Sequence, residues 1–108
     1  MFKDIEFTYE EGSNDTNDIT VIALSTCGFC WKGINFLKNN SIKFRYVYID
    51  KVPFEVKARV KTKLLEKYDK KVSFPYVILN EKEVFTGFRE EFWKEKFQID
   101  QRDNENDE

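Results

Sequence analysis

At 108 residues the chain has length for one domain with a single modest core. A composition that is 41% hydrophobic and 17% aromatic, with eleven phenylalanines, fits a packed globular fold rather than a disordered chain. The formal net charge of −2 argues against general nucleic-acid binding, which rests on attraction to phosphates. No apolar run approaches the roughly 20 residues that a membrane helix requires. Lys3, Asp4 and Glu6 fall where the apolar core of a signal peptide would begin, so the expectation is a cytoplasmic protein without membrane contact.

Phe2 to Tyr9 alternates in part, through Phe2, Ile5, Phe7 and Tyr9, and reads as an extra N-terminal edge strand. Glu10 to Asp18 is a polar loop with no means of burying itself. Ile19 to Leu24 is a short buried strand rich in β-branched residues. Trp31, Ile34 and Leu37 then recur at helical spacing, predicting a helix from Phe29 to Asn39. Asn39-Asn40-Ser41 stops it, since Asn tolerates the left-handed conformation that ends helices. Phe44 to Ile49 alternates as a strand, and this strand–helix–strand unit predicts a right-handed crossover between parallel strands.

Asp50-Lys51-Val52-Pro53 introduces a second helix from Phe54 to Tyr68, with Val56, Val60 and Leu64 on its buried face. Its other side carries Lys57, Arg59, Lys61, Lys63 and Lys67, which read as a solvated face. Tyr76–Leu79 and Glu83–Thr86 form an antiparallel hairpin through Asn80-Glu81-Lys82. Gly87 breaks it, and a third helix runs from Phe88 to Phe97 with Phe88, Phe92 and Trp93 as core residues. From Gln98 the chain is an acidic, solvated tail. The resulting order is β-α-β-α-β-β-α, a four-stranded mixed sheet with helices on both faces. The organisation is an N-terminal strand and loop over 1–18, a domain over 19–97 and a tail over 98–108.

Both cysteines lie in Cys27-Gly28-Phe29-Cys30, where the first strand of that unit ends and its helix begins. Unpaired N–H groups and the positive end of the helix dipole stabilise an anion in the first turn. A thiol attacks as its thiolate, so Cys27 is the expected nucleophile and Cys30, one turn on, the partner that closes a disulfide with it. A zinc site wants four thiolate or imidazole ligands, and this chain has two cysteines and no histidine. A structural disulfide across two residues restricts the unfolded chain little. Two buried, inert thiols are the remaining alternative. A CxxC pair at a strand–helix junction favours redox chemistry over it.

Three motifs resemble the glutaredoxin-like branch of the thioredoxin-fold superfamily, over about Ile19 to Phe97. Cys27-Gly28-Phe29-Cys30 stands in the position of the family's active-site motif. Ser73-Phe74-Pro75 is similar to its Thr-Val-Pro signature, which implies a cis Pro75 and a Phe74 backbone presented to an extended substrate. Thr86-Gly87-Phe88-Arg89 is closer to the Ser-Gly-Phe-Arg of the small redoxins that serve ribonucleotide reductase, and Asp50-Lys51-Val52-Pro53 to their Asp-Arg-Val-Pro.

The resemblance implies a thioredoxin-like fold and a thiol–disulfide oxidoreductase with no tightly bound cofactor. Cys27 and Cys30 are its catalytic pair. Ser73, Phe74 and Pro75 form one substrate wall and Thr86, Gly87 and Phe88 the other. Thr26, Gly28 and Phe29 flank the thiolate, with Arg89 and Glu90 as outer contacts. The implied partners are a disulfide-containing protein substrate and a reductase, either thioredoxin reductase or the glutathione system, serving a monomer. Glutathione is the co-substrate in the second case. Many glutaredoxins carry a Lys three residues before the first active-site Cys, where it meets the glutathione carboxylate, whereas here Leu24 occupies that position. The Cys-Gly-Phe pattern is also similar to monothiol glutaredoxins that hold a [2Fe–2S] cluster across a dimer, but those end in Ser rather than Cys.

Overall fold

Ile19–Ala23 and Tyr76–Leu79 are buried at every position, which is why neither shows the alternation of a half-exposed strand. They are the second and fourth strands of a five-stranded sheet in the computed structural model, which describes residues 5–68 and 72–99. The strands are β1 (Thr8–Glu10), β2 (Ile19–Ala23), β3 (Phe44–Tyr48), β4 (Tyr76–Leu79) and β5 (Glu83–Thr86), with spatial order β1-β3-β2-β4-β5. The helices are α1 (Gly28–Asn39), α2 (Phe54–Tyr68) and α3 (Glu90–Lys96), and a 3-10 turn spans Ile49–Lys51. β2 and β3 are parallel, as the crossover through α1 requires, and the other pairings are antiparallel.

Alternation through the sheet splits the core in two. Val21, Ala23, Val77 and Phe85 pack with Ile34 and Leu37 of α1 and Trp93 of α3. On the other face Ile22, Val47, Tyr76 and Ile78 pack with Val60 and Leu64 of α2. The expected helices on both faces are therefore present. Among the described residues no helix is long and apolar enough to cross a membrane.

The structure differs from expectation at several ends. The N-terminal strand is Thr8–Glu10, paired with Phe44–Tyr46 of β3, while Met1 to Asp4 lie outside the described residues. The polar segment after it is not a free loop. Asn14 donates its N–H to the Ser41 carbonyl (2.9 Å) and accepts from the Lys43 N–H (2.9 Å). Its Asp18 carboxylate takes both arms of the Arg45 guanidinium at 2.8 and 3.2 Å, and Asn80 bonds to both Asp18 and Asn17. Backbone pairing, invisible in a polar composition, holds the segment down. α3 begins at Glu90 instead of Phe88, because Arg89 has extended dihedrals and Phe88 belongs to the loop that crosses Trp93.

Two helices end by the same device. The Ser41 and Ile42 N–H groups bond to Lys38 and Leu37 carbonyls at the end of α1, and Gln98 and Ile99 bond to Glu95 and Lys94 after α3. These are Schellman closures, with Ile42 and Ile99 as the apolar residues that follow. The left-handed residues are Ser41 (φ 55°) and Gln98 (φ 57°), not an Asn, so Gln98 and Ile99 continue the folded domain instead of opening the solvated tail. Asp100 to Glu108 lie outside the described residues. An L side chain at such a φ is strained, so Ser41→Gly and Gln98→Gly should each stabilise the fold by about 0.5–1 kcal/mol after glycine's extra unfolded-state entropy is counted. Urea unfolding measures this as a raised midpoint at unchanged slope; an unmoved midpoint contradicts it.

Candidate active site

β2 delivers the chain to Leu24, whose carbonyl accepts the Cys27 N–H at 3.2 Å and closes a turn over Ser25 and Thr26. Cys27 then caps α1. Its backbone is extended (φ −100°, ψ 116°), its carbonyl accepts the Trp31 N–H at 3.1 Å, and its Sγ accepts the Cys30 N–H at 3.3 Å. The sulfur thus does what a serine or aspartate oxygen does at other N-caps, where a negative charge meets the positive end of the helix.

Cys30 has the opposite environment. It is fully buried and accepts only a long contact from the Leu24 N–H, 3.5 Å from Sγ. Burial, reinforced by its neighbour Cys27, pushes the Cys30 thiol up to about 12 from an ordinary value of 9.0. A half-buried sulfur at a helix cap beside a buried, protonated thiol is the arrangement that thiol–disulfide exchange needs.

The hairpin reaches the same end of the sheet. Antiparallel pairing of Ile22 with Tyr76 brings the residues before β4 to the same end of the sheet as Leu24 to Cys27. There the Phe74–Pro75 bond is cis, and Phe74, Phe88 and Cys27 pack against one core cluster. The Pro75 carbonyl accepts the Gly87 N–H at 2.9 Å, and the Gly87 carbonyl accepts the Trp93 indole N–H at 3.1 Å. Gly87 has φ 79°, a conformation open to glycine and strained for other residues.

A protein-family model for glutaredoxin matches residues 19–84, more than half of the chain and all of the elements that build this site up to β5. The chain belongs to the glutaredoxin family. Among solved structures it is similar to a glutaredoxin from Methanosarcina mazei Go1, with 26% identity, a TM-score of 0.72, and coverage of 86% of this chain and 88% of that one. The methanoredoxin of Methanosarcina acetivorans is 30% identical with a TM-score of 0.74, over 83% of this chain and 94% of that one. A glutaredoxin from Archaeoglobus fulgidus is 29% identical with a TM-score of 0.63, over 72% and 83% of the two chains. No curated protein sequence matches the chain. The family and these glutaredoxin and methanoredoxin structures support a thiol–disulfide redox role.

Within the glutaredoxin fold, the structure gathers Cys27, Cys30, Phe74, Pro75, Gly87 and Phe88 around one end of the sheet. Thr86 pairs with Tyr76 beside them. Thr26, Gly28 and Ser73 are exposed at the rim, and the space where a Gly28 Cβ would stand is open. Phe29 projects into solvent, 61% exposed, with the Lys32 ammonium over its ring. Arg89 is turned onto Phe92, its guanidinium 4.7 Å from the ring centre, and Glu90 pairs with Lys94 at 3.4 Å. Among the described residues, no group of three or more His, Cys, Asp or Glu side chains is placed to hold a metal ion.

Sequence reasoning missed one part of this glutaredoxin site. The Asp50 carboxylate accepts the Ser25 N–H at 2.9 Å and the Ser25 hydroxyl at 2.5 Å, while the Trp31 indole N–H donates to the Ser25 carbonyl at 3.2 Å. The Ser25 hydroxyl, then its N–H, holds the Asp50 carboxyl below the usual carboxylate range. The signal was present in the strand register: parallel pairing of Ala23 with Tyr48 continues to Ser25 beside Asp50.

Proposed function

We propose that the protein is a dithiol–disulfide oxidoreductase that reduces disulfides of proteins or small molecules. The observation that carries this reading is the Cys27 sulfur capping α1 on the Cys30 N–H, with a buried Cys30 thiol behind it. The Cys27 thiolate attacks one sulfur of the substrate disulfide; the other substrate sulfur leaves as a thiolate and takes a proton from solvent. Cys30 then loses its proton and attacks the Cys27 sulfur. The second substrate thiol departs, two electrons have passed to the substrate, and a Cys27–Cys30 disulfide remains.

The substrate lies between Ser73-Phe74-Pro75 and Thr86-Gly87-Phe88, its main chain along Phe74. Since Pro75 takes the Gly87 N–H, Gly87 meets the substrate through its bare Cα. Thr26, Gly28 and Phe29 border the attacking sulfur, and Arg89 and Glu90 form the outer rim. The protein acts as a monomer in a reducing compartment, the cytoplasm.

The electron source is thioredoxin reductase. Thr86-Gly87-Phe88-Arg89 and Asp50-Lys51-Val52-Pro53 favour it, and Leu24, which packs against the α2-side core, offers no cation to a glutathione carboxylate. NADPH consumption by the oxidised protein tests this. Rapid turnover with thioredoxin reductase, and at least about tenfold slower turnover with glutathione and glutathione reductase, is the expected result. Turnover with glutathione alone, or reduction by neither couple, contradicts the assignment of the donor.

A further inference from the structure

We infer that Asp50 is a positioning residue for the second sulfur transfer, acting through Ser25. The inference rests on the dithiol reading above. Ser25 lies between Leu24, whose N–H meets the Cys30 sulfur at 3.5 Å, and the turn that carries Cys27, closed by the Cys27 N–H. Every polar group of Ser25 is engaged. Asp50, just beyond β3, takes its N–H and hydroxyl, and Trp31, in α1, donates to its carbonyl. The turn is therefore tied to the 3-10 turn after β3 on one side and to the active-site helix on the other.

This clamp bears on the two steps unequally. The first attack meets a substrate from solution, and a looser turn changes it little. The second is intramolecular, and its rate follows the fraction of time that Cys30 and the Cys27 sulfur are aligned. Asp50 is exposed and belongs to neither core cluster. Its carboxylate accepts from both the N–H and the hydroxyl of Ser25, which makes geometry its contribution.

A chromogenic aromatic disulfide, dithiobis-nitrobenzoate, separates the steps. Attack by Cys27 releases one coloured thiolate and leaves the other half on Cys27. Attack by Cys30 on Cys27 releases the second and forms the Cys27–Cys30 disulfide. In Asp50→Ala the second release should slow by about tenfold while the first stays within about twofold of wild type. Asp50→Asn keeps an acceptor for the Ser25 N–H and a partner for its hydroxyl, so its second phase should remain within about threefold of wild type. Ser25→Ala should slow the second phase alone, and add little in the Asp50→Ala background. A wild-type second phase in Asp50→Ala overturns the inference. So does an Asn variant as slow as the Ala variant, which would assign the effect to charge. A wild-type chain that releases only one thiolate overturns the dithiol reading itself, and this inference with it.

Discussion

Cys27→Ser should abolish disulfide reduction, whereas Cys30→Ser should leave the first attack intact and stop the cycle at a mixed disulfide. A serine hydroxyl stays protonated at the cap and is a poor nucleophile toward sulfur, so turnover should fall by more than about a hundredfold. In Cys30→Ser the α1 cap survives, because the cap bond comes from the backbone N–H at position 30 and not from the side chain. That variant should accumulate one substrate per chain, held on Cys27. Substrate trapped on position 30 in Cys27→Ser would reverse the assignment.

The same asymmetry governs labelling and stability. With the Cys30 thiol pushed up to about 12, iodoacetamide at neutral pH should modify Cys27 and spare Cys30. Equal labelling of both contradicts the burial argument. The folded state here holds a proton more tightly than the unfolded chain. Its contribution to stability is therefore complete below the ordinary value of 9.0 and is lost as pH rises toward about 12.

Trp93→Ala should lose about 3–5 kcal/mol of stability, a large part of the roughly 5–15 kcal/mol that holds a domain of this kind. Trp93 is fully buried and packs edge-on against Phe36, Phe85, Phe88 and Phe97. Removing it opens a cavity between α1, α3 and the sheet, and leaves the Gly87 carbonyl without its indole partner. Trp93→Phe fills most of that cavity but not the hydrogen bond, so it should cost less in stability. The helix facing the indole leaves no spare room: a Cβ on Gly33 would stand 2.6 Å from the Trp93 ring, so Gly33→Ala should itself cost about 1–3 kcal/mol. Urea unfolding measures all three. A Trp93→Ala loss under about 1 kcal/mol would mean that the cluster collapses to fill the space, and that the Gly87 wall does not depend on it.

The parts of the fold that could be read from the sequence are those set by apolar pattern. Ile19–Leu24 and Tyr76–Leu79 stand out as buried strands, and Val56, Val60 and Leu64 mark the buried side of α2 before any coordinate is known. The cysteine pair was legible for a related reason, since a strand end followed by a helical period fixes a cap, and a cap fixes the chemistry of the residue on it. What escaped was set by backbone geometry and register. The left-handed conformation of Ser41 and Gln98 has no glycine to announce it; Ile42 and Ile99 reward it by packing into the core. The segment from Glu10 to Asp18 looks unstructured by composition, because its order comes from main-chain bonds to Ser41 and Lys43 and from Arg45 and Asn80. Asp50 was visible as a helix-leading acid, but its partner Ser25 is 25 residues away and emerges only when β2 and β3 are set side by side.

The most direct test of the central claim is the mass of the reduced protein after brief exposure to a stoichiometric small disulfide and acid quenching. The account predicts a chain lighter by two hydrogens, with no adduct and with Cys27 and Cys30 joined in one proteolytic fragment. A stable adduct on Cys27 with Cys30 still free, or an unchanged chain, would contradict it.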